Sequence, residues 1–219
     1  MKKTIENTTK IIKNKYIYAK FIAVIKDVSN LEDAKSYIVN SGLIWDKLIL
    51  DTVVLKVVYI KVLIDDKDFW LKRLQQSNVF SFVAINSKDA LVTIKYITEN
   101  TIVKLRKTHC HGLCAVYDVI FLKDGKVIFN GIENVLVKGN KEFKITKRQL
   151  EELNCLFKKT SFKNYSNAFK SRSIVDLPST FITYKNKQIE IKLWKNVPDE
   201  LTSVIKYLEK LLIEQKLIK

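Results

Sequence analysis

The sequence predicts an α+β protein of two small domains, and three observations carry that reading. Over residues 16–90, β-branched and aromatic runs alternate with helix-period segments in the order β-α-β-β-α-β. Beyond residue 100, short apolar runs are joined by Asp-, Asn- and Gly-containing turns, which is the pattern of hairpins. Two helix-period segments in this second half follow start signals, Thr146 and Pro198. With 219 residues, 47% hydrophobic and 11% aromatic, the chain can bury one large core or two modest ones.

Residues 1–15 are polar, rich in Lys and Thr and without periodicity, so they read as a flexible N-terminal tail. Tyr18 to Lys26 reads as a strand. Ser29-Asn30 then offers an N-cap to a helix over Leu31–Val39, with Glu32 and Asp33 in its first turn and Gly42 placed as a C-cap glycine. Trp45–Val54 and Lys56–Ile64 read as two strands. Asp65-Asp66 introduce a second helix with Phe69, Trp70, Leu71 and Leu74 on its buried face, and Val79–Ile85 closes the unit as a strand. This order favours a four-stranded antiparallel sheet covered on one face by two helices, a ferredoxin-like domain over residues 16–90.

Three stretches of this domain, Phe21-Ile22-Ala23-Val24-Ile25-Lys26, the helix Leu31–Val39 and Asn78-Val79-Phe80-Ser81-Phe82-Val83-Ala84-Ile85-Asn86, resemble the propeptide and inhibitor domains of subtilisin-like proteases over about 70 residues. The resemblance implies that the segment after the last strand, Ser87-Lys88-Asp89-Ala90, lies extended in a protease cleft. Reuse of a common fold as a docking module accounts for the same residues.

Residues 91–219 form the expected second α+β domain, of antiparallel hairpins and two helices. The stretch 87–100 carries Leu91, Val92, Ile94, Tyr96 and Ile97, too apolar for a free linker, and reads as a strand or an inter-domain hinge. Thr101–Lys107 follows as a strand. Val116–Leu122 and Lys126–Asn130 form a hairpin about Asp124-Gly125, read as a two-residue turn, and Asn134–Val137 reads as a further short strand. Thr146 caps a helix with Leu150, Leu153, Leu156 and Phe157 on one face. Phe181–Tyr184 and Gln188–Trp194 make a second hairpin, and Pro198 opens a terminal helix over Asp199–Glu214.

The chemistry-bearing segment is His109-Cys110-His111-Gly112-Leu113-Cys114, which holds both histidines and two of the three cysteines. Cys110 and Cys114, with His109 and His111 and with Cys155 in reserve, are the donor set of a four-coordinate zinc or copper site. In an extended strand His109 and His111 would lie on the face away from Cys110, which counts against that set, and the expectation is no cofactor. The same cysteines are a candidate disulfide or a reversible dithiol. Residues alone leave these readings open.

Cys110, Gly112, Cys114 and Tyr117, followed by the Asp124-Gly125 hairpin, Gly131, a helix, Asp176-Leu177-Pro178 and a final hairpin and helix, resemble a bacterial domain-of-unknown-function family, number 6438, over about residues 100–215. That family carries Cys-x-Gly-x-Cys-Pro-x-Tyr before a "DGxVxYxG"-like hairpin. Here Ala115 stands for the usual proline and His111 for the usual aromatic. The resemblance implies that Cys110, Gly112, Cys114, Tyr117, Asp124 and Gly125 belong to the family design while both histidines are peculiar to this chain. It implies no activity.

The formal charge is +16, shared as +6 over residues 1–98 and +10 over 99–219, with the densest run from Lys138 to Arg172. Such charge suits an anionic partner, but its even spread among abundant Lys, Asn and Ile also matches an AT-rich genome. The sequence has no glycine-rich phosphate loop, G-x-S-x-G elbow, HExxH or C-x-x-C motif, so no enzyme is expected. No apolar run approaches the roughly 18 residues that span a bilayer, so no membrane partner is expected. The N-terminus lacks a secretory signal, and the expectation is a cytoplasmic protein. The reading that follows is a non-enzymatic two-domain protein that binds another macromolecule, a protein, by strand addition at the ferredoxin-like domain's sheet edge or through its terminal segment, and with the basic face of the second domain. The alternatives are an inhibitor of a subtilisin-like protease, a metal- or redox-responsive module at Cys110/Cys114 and, behind these, a nucleic-acid binder.

Overall fold

The computed structural model describes residues 16–77, 79–171 and 177–219. The expected tail 1–15, Asn78 of the closing strand motif, Arg172 of the basic run and Asp176 lie outside the described residues. The chain divides into two compact units, one from residues up to Asp51 and from Leu55 to Ala90, the other from Leu91 to Lys219 with Thr52–Val54. Both mix sheet and helix, an α+β class.

In the first unit β1 (Tyr18–Ile25), α1 (Leu31–Asn40), β2 (Ile44–Asp51), β3 (Lys56–Leu63), α2 (Lys67–Gln76) and β4 (Phe80–Ile85) follow in the expected order. The sheet order is β2-β3-β1-β4, every pairing antiparallel, which is the ferredoxin-like arrangement. Alternate residues of β1, namely Phe21, Ala23 and Ile25, face one way, and Ala34, Ile38 and Leu74 of the two helices join them in one core. The α1 terminus is a Schellman motif. Leu43 N–H reaches Ile38 C=O at 3.1 Å, Gly42 N–H reaches Val39 C=O at 3.0 Å, and Gly42 takes φ +75°. At the other end Asn30 occupies the N-cap position without a side-chain cap bond. Of the apolar residues assigned to the buried face of α2, Leu74 is fully buried, but Phe69 is 61% exposed and packs edge-on against Trp70.

After β4 the chain departs from expectation. Residues 88–100 are not a strand but α3 (Lys88–Asn100), and the division between the two units falls within it, after Ala90. Ser87 Oγ accepts the Ala90 N–H at 3.1 Å, an N-cap bond, and the buried Ala90 and Ile94 stand four residues apart on one face. The extended tail implied by the propeptide resemblance is therefore not formed at Ser87-Lys88-Asp89-Ala90.

The second unit is a seven-stranded sheet of β5 (Thr101–Lys107), β6 (Val116–Leu122), β7 (Lys126–Glu133), β8 (Gly139–Lys144), β9 (Ala168–Phe169), β10 (Thr180–Tyr184) and β11 (Lys187–Ile191), in the order β8-β7-β6-β5-β10-β11-β9. All pairs are antiparallel except the short β9 beside β11. α4 (Lys147–Lys159) and α5 (Asp199–Glu214) share the core with Val103, Leu105, Tyr117, Phe121, Phe129, Ile182 and Ile189. Thr146 and Gln149 form a full capping box at the start of α4, and α5 buries Leu201, Val204, Ile205, Leu208, Leu211 and Leu212.

Two turns differ from the sequence reading. Between β6 and β7 only Gly125 has positive φ (+81°), and its N–H bonds to Leu122 C=O. This is a type I turn followed by a left-handed glycine rather than a two-residue primed turn. Asn134–Val137 is an irregular loop, not a strand, because Leu136 and Val137 give their N–H groups to Leu217 C=O near the chain end. Gly131 permits this crossing. A Cβ there would collide with the Val137 carbonyl and stand 2.9 Å from Phe129 and Val135 side-chain atoms. Gly131→Ala is expected to cost about 3 kcal/mol of unfolding free energy by overpacking against rigid backbone, measured by urea denaturation against the parent.

Candidate functional site: the disulfide-closed loop between β5 and β6

β5 and β6 pair from Thr101↔Leu122 to Lys107↔Tyr117, so residues 108–115 reverse the chain at one end of the sheet. Both roots of this loop are held. On the β5 side, Thr108 N–H donates to Ser179 C=O at 3.0 Å and Thr108 Oγ1 accepts the Ser179 N–H at 2.8 Å. The buried Ser179 hydroxyl donates to Glu190 at 2.8 Å, and Lys170 approaches the same carboxylate at 3.4 Å.

On the β6 side the anchor is Tyr117. Its ring is fully buried, 5.6 Å from the ring of Phe129, and its hydroxyl donates to Glu209 Oε1 at 3.3 Å. Lys107, directly across the ladder, forms an ion pair with the same Glu209 carboxylate from α5. Burial, then the Glu209 charge and hydrogen bond, hold the Tyr117 phenol far above its ordinary value of 10.0, so it stays neutral and donating.

Between these roots the chain bends. Cys110 and Cys114 are joined by a disulfide with Cα atoms 5.9 Å apart. Gly112 N–H points at Cys110 Sγ (3.3 Å), and His111, Gly112 and Leu113 are exposed, Leu113 at 91%. Asn134 Nδ2 donates to Cys114 C=O at 3.2 Å, which ties the loop to the neighbouring 134–137 segment. His109 Nδ1 lies 2.9 Å from Glu133 Oε2 at the end of β7.

The metal donor set is not assembled. Both sulfurs are spent in the bond and His109 is turned to Glu133. Among the described residues no group of three or more His, Cys, Asp and Glu side chains is arranged to hold a metal ion. Cys155 is a free cysteine on the exposed face of α4. Asp124 and Gly125 lie away from the loop, in the β6–β7 turn. There Tyr96 of α3 donates to Asp124 at 2.7 Å and the Lys126 N–H donates to its other oxygen, which together lower the Asp124 pKa.

Glu209, Lys107, Asn134 and Glu133, which shape the loop, were not among the residues singled out in the sequence. Glu209 is 92 residues from Tyr117. Only its position facing the buried stripe of α5 hints at a role. A five-residue ring constrains the unfolded chain little, about 2 kcal/mol, so the ladder and the Tyr117–Glu209–Lys107 contacts set the geometry here more than the bond does.

Sheet, helices and cross-linked hairpin define an α+β domain built around a Cys-x3-Cys loop. The family model described as "Domain of unknown function (DUF6438)" matches residues 101–212, from β5 through most of α5, and the chain belongs to that family. No curated protein matches the chain. Among the described residues no helix is long and apolar enough to cross a membrane.

Because native Tyr117 keeps its proton where an unfolded tyrosine loses it, the native state binds more protons above pH 10 and stability falls as pH rises. The expected slope from this residue is about 1.4 kcal/mol per pH unit beyond the unfolded pKa. Tyr117→Phe should flatten that alkaline decline while costing about 1 kcal/mol at neutral pH, read from urea midpoints between pH 8 and 11.5.

Proposed function

We propose that the chain is a non-enzymatic module that binds another protein through the loop end of its second unit. The observation that carries the reading is Leu113, 91% exposed in a disulfide-closed bend whose roots are fixed by the β5–β6 ladder. The adjoining 134–137 loop, tied to it through Asn134, presents Leu136 at 52% exposure. Apolar side chains on a loop ordered before binding lose little entropy on contact, which is what an anchor residue needs.

Two of the four sheet edges, β2 and β8, disfavour strand addition. β2 is interrupted by two register shifts against β3, and β8 carries Lys141, Glu142 and Lys144. Both devices blunt an edge against a further strand.

Capture from native lysate on the immobilised full chain is expected to recover a stoichiometric protein, and Leu113→Asp combined with Leu136→Asp should lose it at unchanged Tm. Recovery of the same protein by the double variant would remove this surface from the reading. Repeated failure of the parent to retain any protein would remove the function itself.

A further inference from the structure

Thiol chemistry at the same loop goes beyond partner binding and does not depend on it. Four observations converge on the Cys110–Cys114 bond. First, the bond closes a five-residue bend whose roots are already fixed by the β5–β6 ladder, by Thr108 with Ser179 and by Tyr117 with Glu209, so the fold does not require it. Second, residues 111–113 are exposed, leaving the bend open to solvent.

Third, nothing in the backbone demands the glycine at 112. Its φ is not left-handed, and an added Cβ would meet, beyond its chain neighbours, only Cys110 Sγ at an ordinary 3.8 Å. A branched side chain at this position would crowd the Cys110 sulfur, the one released, and the N–H that faces it. Fourth, Gly112 N–H already faces that sulfur at 3.3 Å, a donor that stabilises a thiolate more than a neutral sulfur.

We propose that Cys110–Cys114 is a thiol–disulfide exchange site with dithiols as its reducing substrate, Cys114 being the sulfur attacked and Cys110 the sulfur released. One thiolate of the dithiol attacks Cys114 Sγ. The Cys110–Cys114 bond breaks, its electron pair leaves on Cys110 Sγ facing the Gly112 N–H, and a solvent proton completes the thiol. The second thiolate of the dithiol then attacks its own sulfur in the mixed disulfide and releases Cys114. Two electrons and two protons pass to the protein, and the dithiol departs as its internal disulfide.

The experiment uses the full chain with Cys155→Ser, so that only the pair reports. Under native conditions at pH 7, reduced dithiothreitol is added, samples are quenched in acid and alkylated, and the thiols are counted by mass. The expected result is reduction of the bond with Tm lowered by no more than a few degrees, and slowing of about tenfold in Gly112→Val at unchanged Tm, with Gly112→Ala between the two. Once the pair is reduced, iodoacetamide should modify Cys110 about tenfold faster than Cys114. Reduction that occurs only after the chain is unfolded in denaturant would make the bond a structural staple and overturn the proposal. Gly112→Val exchanging as fast as the parent, or Cys114 alkylating as fast as Cys110, would overturn it equally. All three readouts are taken without any partner protein, so loss of the binding surface would leave them unchanged.

Discussion

The pairing of Lys107 with Tyr117, bridged by Glu209, is the constraint on which the loop end of the second unit depends. A buried tyrosine hydroxyl is costly unless satisfied, and the half-buried Glu209 carboxylate supplies its acceptor. Here each satisfies the other, and the Lys107 ammonium compensates the carboxylate charge. Loss of the tyrosine hydroxyl therefore removes one hydrogen bond of modest net value, while Lys107 still compensates Glu209. The bridge fixes where α5 sits on β5 and β6. It also fixes the separation of residues 107 and 117, from which the cross-linked bend hangs.

How much of this could be read in the chain depended on the range of the determining interaction. Thr146 with Gln149 is a local signal with a local consequence, and the helix begins where it predicts. The order of the first unit was equally legible, because strand alternation and helix period change within a few residues of each other. α3 was not, since Val92, Thr93, Ile94, Tyr96 and Ile97 have strand preference, and the decisive bond is a single serine cap at Ser87. Asn134–Val137 looks like a strand by composition, yet its N–H groups are claimed by Leu217, some 80 residues on, a competitor that no local pattern announces. At the candidate site the cysteines were legible as a pair. Their partners were not, because Glu133, Asn134 and Glu209 enter only through the register of the sheet and the docking of α5.

The charge of +16 has a partly structural use that composition hides. β8 is an edge strand, exposed throughout apart from the half-buried Phe143, and it carries Lys141, Glu142 and Lys144. Charges on an edge oppose the addition of another strand, since pairing would desolvate them. Lys126 with Glu142, Lys147 with Glu151 and Lys210 with Glu214 are ion pairs with at least one well-exposed partner, and such pairs contribute little to stability. Solubility and edge protection thus account for a share of the lysines without any anionic ligand.

Gly112 and Gly131 show how one residue type serves opposite ends on neighbouring segments. At Gly131 a side chain would meet the Val137 carbonyl, so glycine is what lets two pieces of backbone cross and the chain end close over them. At Gly112 a side chain would meet only a sulfur at normal contact distance, so packing does not require glycine there. The first glycine belongs to the rigid frame and the second to the bend hung on it. A bend held at both roots can gain or lose its cross-link with little change in the frame, because the ladder, the Ser179 contacts and the Tyr117–Glu209 contact all lie outside the ring. On the proposed exchange chemistry, reactivity and stability are thereby placed on separate residues.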